Sequence, residues 1–597
     1  IRRGPQRKSQ TGKKMSAVYV QDNLKLKIST PLGPNKLLLR SFRGEERISG
    51  LFQFTLEMVS EDNSIDFQAI VGKAVTVTLN LSNNTEHYLN GIVGRFVQEE
   101  TNLRLTRYFA EIHPWLWLLT KTSDCRVFQN KSVPDILESV FSDLGFSDFR
   151  NDLKATYDKR EYCVQYNETA FNFVSRLMEE EGIFYYFEHA SDKHTLVLDD
   201  DSPGNPTCPG LGASPVHFRQ SLVDHTQDLT ITRCLVEEQV VTGAYAHDDF
   251  NFETPNTDLK VESKSDTPKF RVYEYPGGFM KKDSGEKRAN LRLDAFEQPQ
   301  KIIRGDGFVR AFCAGHKFEL KDHYRADVNK TYVLQSVSHA ATQESYTNSF
   351  TAFPADVQFR PPRVTPKPTI SGTQTAIVVG KAGEEIWTDK YGRVKVQFHW
   401  DQLGKSDENS SCWIRVDYGW AGKQWGGIFL PRIGQEVIVS YLEGDPDQPL
   451  VTGAVYNSDQ VVPYTLPDEQ TKSTVKTNSS KGGGGFNEIR FEDKKGSEEL
   501  YFHAQKDHNI VVENDRTKKV LHNETNTIKG TRDLTITGNE THTNDANFSQ
   551  KVAGNYELKV TGNLTIEATG TITIKSAATT VESTGITTIK GSLVKIN

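Results

Sequence analysis

Residues 528–574 read IKGTRDLTITGNETHTNDANFSQKVAGNYELKVTGNLTIEATGTITI, and glycine returns at every eighth position: Gly530, Gly538, Gly554, Gly562 and Gly570, with Ala546 at the one missed step. Two places before four of these glycines stands a β-branched residue, Ile528, Ile536, Val552 and Val560, and later steps add the alternating pairs Tyr556/Leu558, Leu564/Ile566 and Ile572/Ile574. A strand period of two is nested in a period of eight that begins near Leu521. One strand and one glycine-permitted corner per repeat give a ribbon that cannot enclose its own apolar side. The pattern therefore predicts winding with other copies, which closes edges that would otherwise aggregate. Thr, Asn and Lys fill the remaining positions, as a solvated outer face requires. A disordered Thr- and Asn-rich tail is the competing reading, but such a tail has no reason to hold an apolar phase.

At 597 residues the chain exceeds one core and implies roughly three or four domains. Its 71 basic and 78 acidic residues, net charge −7 and 36% apolar content describe a mildly acidic, β-rich chain rather than a nucleic-acid binder. Cys125, Cys163, Cys208, Cys234, Cys313 and Cys412 show no short metal spacing, and none falls in the repeats. They read as free buried thiols folded in a reducing compartment. No run reaches the length of a membrane-spanning helix, and the N-terminus lacks the apolar stretch of a signal peptide. Ile1–Lys14, with three Arg and three Lys before Met15, reads as a disordered or vector-derived extension, taken to residue 23. The chain stops at Asn597 directly after a strand-like pattern, so no further domain is expected after the repeats, with truncation left open.

Between Leu24 and about Phe353 short alternating strands dominate: Lys36 to Arg40, Gln53 to Met58, Ala74 to Leu81, Leu89 to Gln98 and Leu103 to Ile112. Three helices interrupt them. Ser132 caps the first, whose stripe is Ile136, Leu137, Val140, Phe141 and Leu144, and Gly145 ends it. Asn167 is expected to open the second, with Ala170, Phe173, Val174, Leu177 and Met178 inward and Gly182 as its stop. Ala289, Leu293 and Phe296 mark the third. Glu179, Glu180 and Glu181 crowd the negative end of the second helix, which should cost stability if they are exposed. Four prolines in Phe359–Pro368 form a stiff boundary. Ala376–Tyr456 then alternates through Val394, Val396, Phe398 and Trp400, through Ile414 and Val416, and through Val437, Val439 and Tyr441, as a small closed barrel of the OB type would. Asn478–Phe486, with four consecutive glycines, reads as a flexible hinge.

At this point the chain resembles the VgrG family, the spike proteins of bacterial type VI secretion systems. The resemblance rests on Tyr162–Glu168 leading into Glu179–Phe187, then Tyr273–Gly278, Phe359–Pro362, Asp389–Val396, Pro431–Val437 and Glu443–Asp447, which together run in order along the chain. It implies a mainly β fold: phage-hub-like β-barrel domains with a few helices at residues 24–368, an OB-fold barrel at 369–460, a Gly-rich linker at 461–485, and a trimeric β-helix needle at 486–597. It further implies a homotrimer seated on the Hcp tube hexamer at the hub base, capped by a PAAR-repeat protein at the needle tip, and carrying effector proteins or adaptors across a target membrane crossed mechanically. Such a protein resides in the bacterial cytoplasm before firing and is then delivered outward without a signal peptide. Phage spikes of this lineage can carry a muramidase between barrel and needle; Asn457–Gly485 is too short for one. Other members carry a C-terminal enzymatic domain, and none is seen within these residues.

Candidate chemistry is sparse. Arg304-Gly305-Asp306 spells an adhesion tripeptide but reads as a β-turn, and Asn-x-Ser/Thr triplets such as Asn167-Glu168-Thr169 and Asn563-Leu564-Thr565 read as composition. Asp199–Asp201 lacks companion cation ligands and reads as a solvated loop. Gly482–Gly485 lacks the Lys-Ser/Thr of a phosphate loop, and His503, His508, His522 and His542 share no metal spacing. The reading assigns no catalytic, cofactor-binding or metal residue; the functional residues are the repeat positions themselves. Trp115, Trp117, Trp387, Trp400, Trp413, Trp420 and Trp425 suit barrel cores, with a sugar platform as the minority reading. The competing functions are a spike with its own cell-wall hydrolase, which needs a catalytic set, an extended trimeric adhesin, which needs a signal peptide, and an OB-type nucleic-acid binder. For the last, Arg393, Lys395 and Arg415 are offset by Asp401, Asp407, Glu408, Glu443, Asp445 and Asp447.

Overall fold

The computed structural model describes residues 19–81, 85–101, 104–220, 228–266 and 268–596; the basic stretch Ile1–Lys14, with Met15, lies outside the described residues, as do Leu103 and Asn597. The chain divides into two units, residues 1–508 and 509–597.

In the first unit, β1 (Leu26–Ser29), β2 (Leu38–Arg47), β3 (Gln53–Ser60), β4 (Ala74–Asn80), β5 (Glu86–Thr101) and β6 (Thr106–His113) lie in the order β1-β4-β5-β6-β3-β2. The period of two sends Phe54, Leu56 and Met58 of β3 and Val77 and Leu79 of β4 inward. The Gln343 side chain joins β1 to β2: it accepts from the backbone N–H groups of Lys25 and Leu26 at 3.2 and 3.3 Å and donates to the carbonyls of Leu26 and Leu39 at 2.9 and 2.7 Å. A second group follows: β7 (Val216–Phe218), β8 (Thr230–Glu238), β9 (Lys301–Gly307), β10 (Lys317–Lys321), β11 (Thr331–Thr342) and β12 (Tyr346–Pro354). Their order is β11-β10-β7-β8-β9-β12, and β12 pairs back onto β11, which closes the ring. Pairing of β2 with β11 joins the two six-stranded groups. Arg304-Gly305-Asp306 is therefore strand, not the expected turn. A Cβ on Gly305 would sit 2.5 Å from the Phe350 ring and 2.6 Å from the Arg233 carbonyl, so glycine is there for close approach.

Helix α1 (Val133–Asp143) begins at a reciprocal Ser132/Asp135 cap, as the sequence indicates. Helix α2 (Ala170–Glu181) is capped by Thr169, whose hydroxyl accepts from the Asn172 N–H; the expected Asn167 instead bends the preceding strand at φ +48°. Gly182 ends α2 in the left-handed region, φ +69°. Helix α3 (Lys282–Glu297) buries Ala289 and Leu293.

The OB-type barrel consists of Gln374–Val379, Lys395–Phe398, Arg415–Val416, Glu436–Tyr441 and Pro449–Val455. Val394 and Ile414 exchange backbone hydrogen bonds of 2.9 and 2.8 Å that close it. Its interior holds Ala376, Val378, Val396, Phe398, Ile414, Val437 and Val439, together with Tyr162 and Val164 from the hub. Next comes an antiparallel sheet of Lys472–Lys476, Glu488–Glu492 and Glu499–His503, which crosses the expected boundary between linker and needle. The glycine run is the tip of its first hairpin rather than a free hinge. Thr477 N–H bonds the Asn487 carbonyl and Ser479 N–H the Gly485 carbonyl, each at 2.8 Å, and Lys481 N–H bonds Glu385 of the barrel at 2.5 Å.

The second unit has neither a core nor an intrachain strand ladder among its described residues, and every one of them is exposed. The chain bends at 513–514, 521–522, 529–530, 537–538, 545–546, 553–554, 561–562 and 569–570, eight bends spaced eight residues apart.

Candidate functional site

Two constellations stand out: the octads, and an ionic junction where the hub meets the OB-type barrel.

The octad register starts earlier than the glycines do. Asn514 and His522 stand where Gly530 and Gly538 stand later, and Val512 and Val520 precede them by two. Val512, Val520, Ile528, Ile536, Val552 and Val560 keep nearly the same exposure, 43–48%, so all six hold one place in the repeat. Tyr556, Leu558, Leu564, Ile566, Ile572 and Ile574 are more open still, and nothing among the described residues covers them. Gly530, Gly538, Gly554, Gly562 and Gly570 lie outside the left-handed region, and a Cβ on any of them would meet nothing within 4 Å. Ala546, Asn514 and His522 show the same thing by occupying equivalent bends. The corner itself does not demand glycine, contrary to the expectation from conformational freedom. After Gly570 the step changes: the next glycine bend falls at 584–585, fifteen residues on rather than sixteen, and the Ser576 hydroxyl bonds the Ala578 carbonyl at 2.7 Å inside that interval.

The junction explains the acidic triplet. Glu179 does not repel the end of α2; its carboxylate accepts from the N–H groups of Val364 and Thr365 at 2.9 Å and from the Thr365 hydroxyl at 2.7 Å. Glu180 and Glu181 take the two arms of Arg160, at 2.7 and 2.5 Å. Arg288 stands 3.5 Å from Glu181, while Arg176, only 2% exposed, grips Glu168 at 2.8 Å. Phe359–Pro368 is a strap rather than a bare spacer. Arg360 donates to the carbonyls of Gly182 and Asp200 at 3.1 and 2.7 Å, and Arg363 stands 3.6 Å from Glu274. Lys367 reaches the barrel turn, pairing with Asp445 and Asp447 at 2.7 Å each. Asp447 also accepts from the Val164 N–H at 2.7 Å. Five of the motifs quoted separately from the sequence thus meet here: Tyr162–Glu168, Glu179–Phe187, Tyr273–Gly278, Phe359–Pro362 and Glu443–Asp447.

Burial pushes the Glu180 carboxyl up, but Arg160, Lys367, Arg176 and Arg363 outweigh burial and hold it well below the usual carboxylate range. Burial likewise works against the Lys367 ammonium, and Asp447, Asp445 and Glu180 more than offset it. The junction is geometrically specific: Arg176 and Glu168 are buried, Arg160, Glu180 and Glu181 are largely so, and Lys367 and Glu274 stand about a third exposed at its margin. Such a network is costly to break by removing one member, because the partner is left buried and unpaired. Sequence reading did not identify Arg160, Arg176, Arg288, Arg363 or Lys367. The available signal was three carboxylates at the wrong end of a helix, an arrangement that demands cations from elsewhere.

The Asp199–Asp201 loop is also not solvated as expected. Asp200 is buried and accepts from the Lys154 and Ala155 N–H groups and the Tyr157 hydroxyl at 2.8, 2.9 and 2.7 Å. Of the six cysteines five are buried, and Cys125 is half-buried.

Family models match the chain in three consecutive stretches: phage tail baseplate hub over residues 45–345, the type VI secretion system/phage-baseplate injector OB domain over 375–456, and the bacteriophage T4 gp5 C-terminal trimerisation domain over 473–583. The chain is similar to the type VI secretion system spike protein VgrG1c of Pseudomonas aeruginosa, 44% identical over 531 residues, covering 86% of this chain and 72% of that one. VgrG1a of the same organism is 44% identical over 518 residues, covering 83% and 80%. Among solved structures, an E. coli component of the type VI secretion system, described as structurally similar to the T4 tail proteins gp27 and gp5, superposes with a TM-score of 0.54 at 21% identity, covering 72% of this chain and all of that one, a likeness of fold.

Proposed function

The chain belongs to the VgrG family of type VI secretion system spike proteins, and from that premise we propose that it works as a homotrimer that punctures a target membrane and carries effectors with it. The observation that carries this reading is the second unit: 88 described residues, 509–596, with a regular apolar phase and no core of their own. Such a segment is stable only when other copies supply its missing strands and cover its apolar side. The match of residues 473–583 to a trimerisation domain supports three as the number.

The hub supports the rest of the assembly. Two six-stranded groups per chain give six in a trimer, the count a six-fold Hcp tube offers at the hub base. A PAAR-repeat protein would close the opposite tip. The buried charges of the junction would couple hub to barrel stiffly, so that thrust on one moves the other. In this reading the protein does its work by shape and stiffness and is not an enzyme; it waits in the bacterial cytoplasm and leaves with the contracting apparatus, without a cleaved signal.

Light scattering on the full chain tests the assembly, with a mass near three times 67.2 kDa expected. A stable monomer at micromolar concentration refutes it. Export is tested separately, by comparing secretion with and without a functional sheath; equal secretion refutes the route.

A further inference from the structure

One element of the barrel is unlike the rest. Between Tyr418 and Pro431 the chain forms a tight hairpin: Gly422 N–H bonds the Trp425 carbonyl at 2.8 Å and Gly427 N–H the Trp420 carbonyl at 2.9 Å. It holds four large apolar side chains in water: Trp420 66%, Trp425 60%, Ile428 65% and Phe429 69% exposed. Contiguous apolar groups fixed in this way on a hydrogen-bonded scaffold mark a contact surface. Beside them Ile428, Phe429 and Leu430 run without any backbone hydrogen bond to the described residues of the chain, an open edge able to accept another strand. The two indoles meet edge to face, 5.4 Å apart at 73°, so they present no flat pair of rings to a sugar.

We propose that this hairpin is a clasp between protomers, with Trp420, Trp425, Ile428 and Phe429 of one copy seated on the barrel of the next. The proposal rests on the trimeric reading and adds a second contact to it, independent of the octads. Continuity selects the occupant. Past Phe429 the chain reaches Arg432, whose guanidinium donates to Glu385 at 2.6 Å and to the Asn478 carbonyl at 2.8 Å. Asn478 lies within residues 473–583, which match the trimerisation domain. The clasp therefore adjoins the segment that matches a trimerisation domain, and that continuity makes a second copy of this chain its occupant.

Hydrogen exchange on the unmodified full chain is the first test, since it requires no variant. Slow exchange of the Ile428, Phe429 and Leu430 amides in the trimer supports the clasp; exchange at the rate of an open loop in an intact trimer overturns it while leaving the trimer standing. The second test is the W420S/W425S/F429S triple variant in the full chain. Loss of these aromatics should raise the trimer dissociation constant by roughly tenfold or more, with unchanged far-ultraviolet circular dichroism. An unchanged constant overturns the clasp. Flotation of the wild type with anionic phospholipid vesicles, abolished in the variant, also overturns it, since the hairpin would then be a lipid contact. A full chain that is monomeric removes the trimeric reading and the clasp together.

Discussion

The two units of this chain use the same alphabet of alternating strands and differ in where the partners are. In β3 the apolar residues Phe54, Leu56 and Met58 are wholly buried, because β2 and β6 flank the strand and the opposite wall faces it. In the octads Tyr556, Leu558 and Val560 alternate just as strictly and stay open, because the single chain supplies neither neighbours nor a facing wall. Local pattern specifies which side should be covered, and only tertiary or quaternary structure specifies by what. The hub closes its strands on themselves, even using the Gln343 side chain where a ladder is missing; the octads leave closure to other molecules.

The largest effect should come from breaking the octad register. Removing Gly554–Thr561 takes out one whole repeat and should leave a shorter trimer with its melting behaviour nearly intact. Removing Gly554–Glu557 preserves alternation but shifts each later bend by half a repeat, and most of the trimer should be lost in light scattering. Equal trimer content in both deletions would show that the eightfold bends do not set the assembly.

The junction offers the sharpest contrast, since its stabilisation is internal to one chain. Glu180→Ala leaves one arm of Arg160 without its carboxylate while Glu181 still holds the other, and should cost about 1–3 kcal/mol of hub–barrel stability, read as a lower urea midpoint, with little response to added salt because the pair is largely withdrawn from solvent. A loss under 1 kcal/mol would mean that water enters the site.

Acid should also separate the units. Burial holds His194 neutral, lowering its pKa to about 4, and His87, depressed first by burial and then by His339 and His316, falls to about 3. Because these folded values lie below the unfolded value near 6.5, the unfolded chain binds protons first as pH falls. The stability these two groups contribute is therefore complete above pH 6.5 and is lost as pH drops through about 4 for His194 and about 3 for His87, on the order of several kcal/mol in total. A His87→Leu variant should show a flatter dependence of melting temperature over that range, and an identical slope would exclude His87 as a contributor.

The smallest expected effect distinguishes two kinds of glycine. Gly182→Ala puts a Cβ into a left-handed C-cap, 2.9 Å from Leu291, and should cost roughly 1–2 kcal/mol. Gly562→Ala should cost the isolated strand almost nothing, as Ala546 already shows at the equivalent bend. If both substitutions weaken the full-length protein equally, the octad glycines are making room for a neighbouring chain rather than permitting a corner.

Much of this was legible beforehand. The α1 cap at Ser132, the Gly182 stop, the alternation of Ile414 and Val416 and the eightfold period all follow from local rules acting over a few residues. The β-turn expected at Arg304-Gly305-Asp306 failed because turn chemistry and close packing both select glycine, and only the Phe350 ring reveals which applies. The hinge expected at Gly482–Gly485 failed because flexibility in the sequence does not tell whether flanking strands will pair across it. Asn167 lost the α2 cap to Thr169 by two residues, within the ordinary uncertainty of boundaries.

By itself, then, the sequence determined the mainly β character, the octad phase and the inability of the repeats to enclose their own apolar side. Tertiary structure alone decided that the Glu179–Glu181 carboxylates, the proline strap and the Asp445–Asp447 turn share one buried junction. Residues 180, 160, 367 and 447 are far apart along the chain, and Coulomb forces act through space. A charge pattern read along a line carries no record of which opposite charge folding will place 3 Å away.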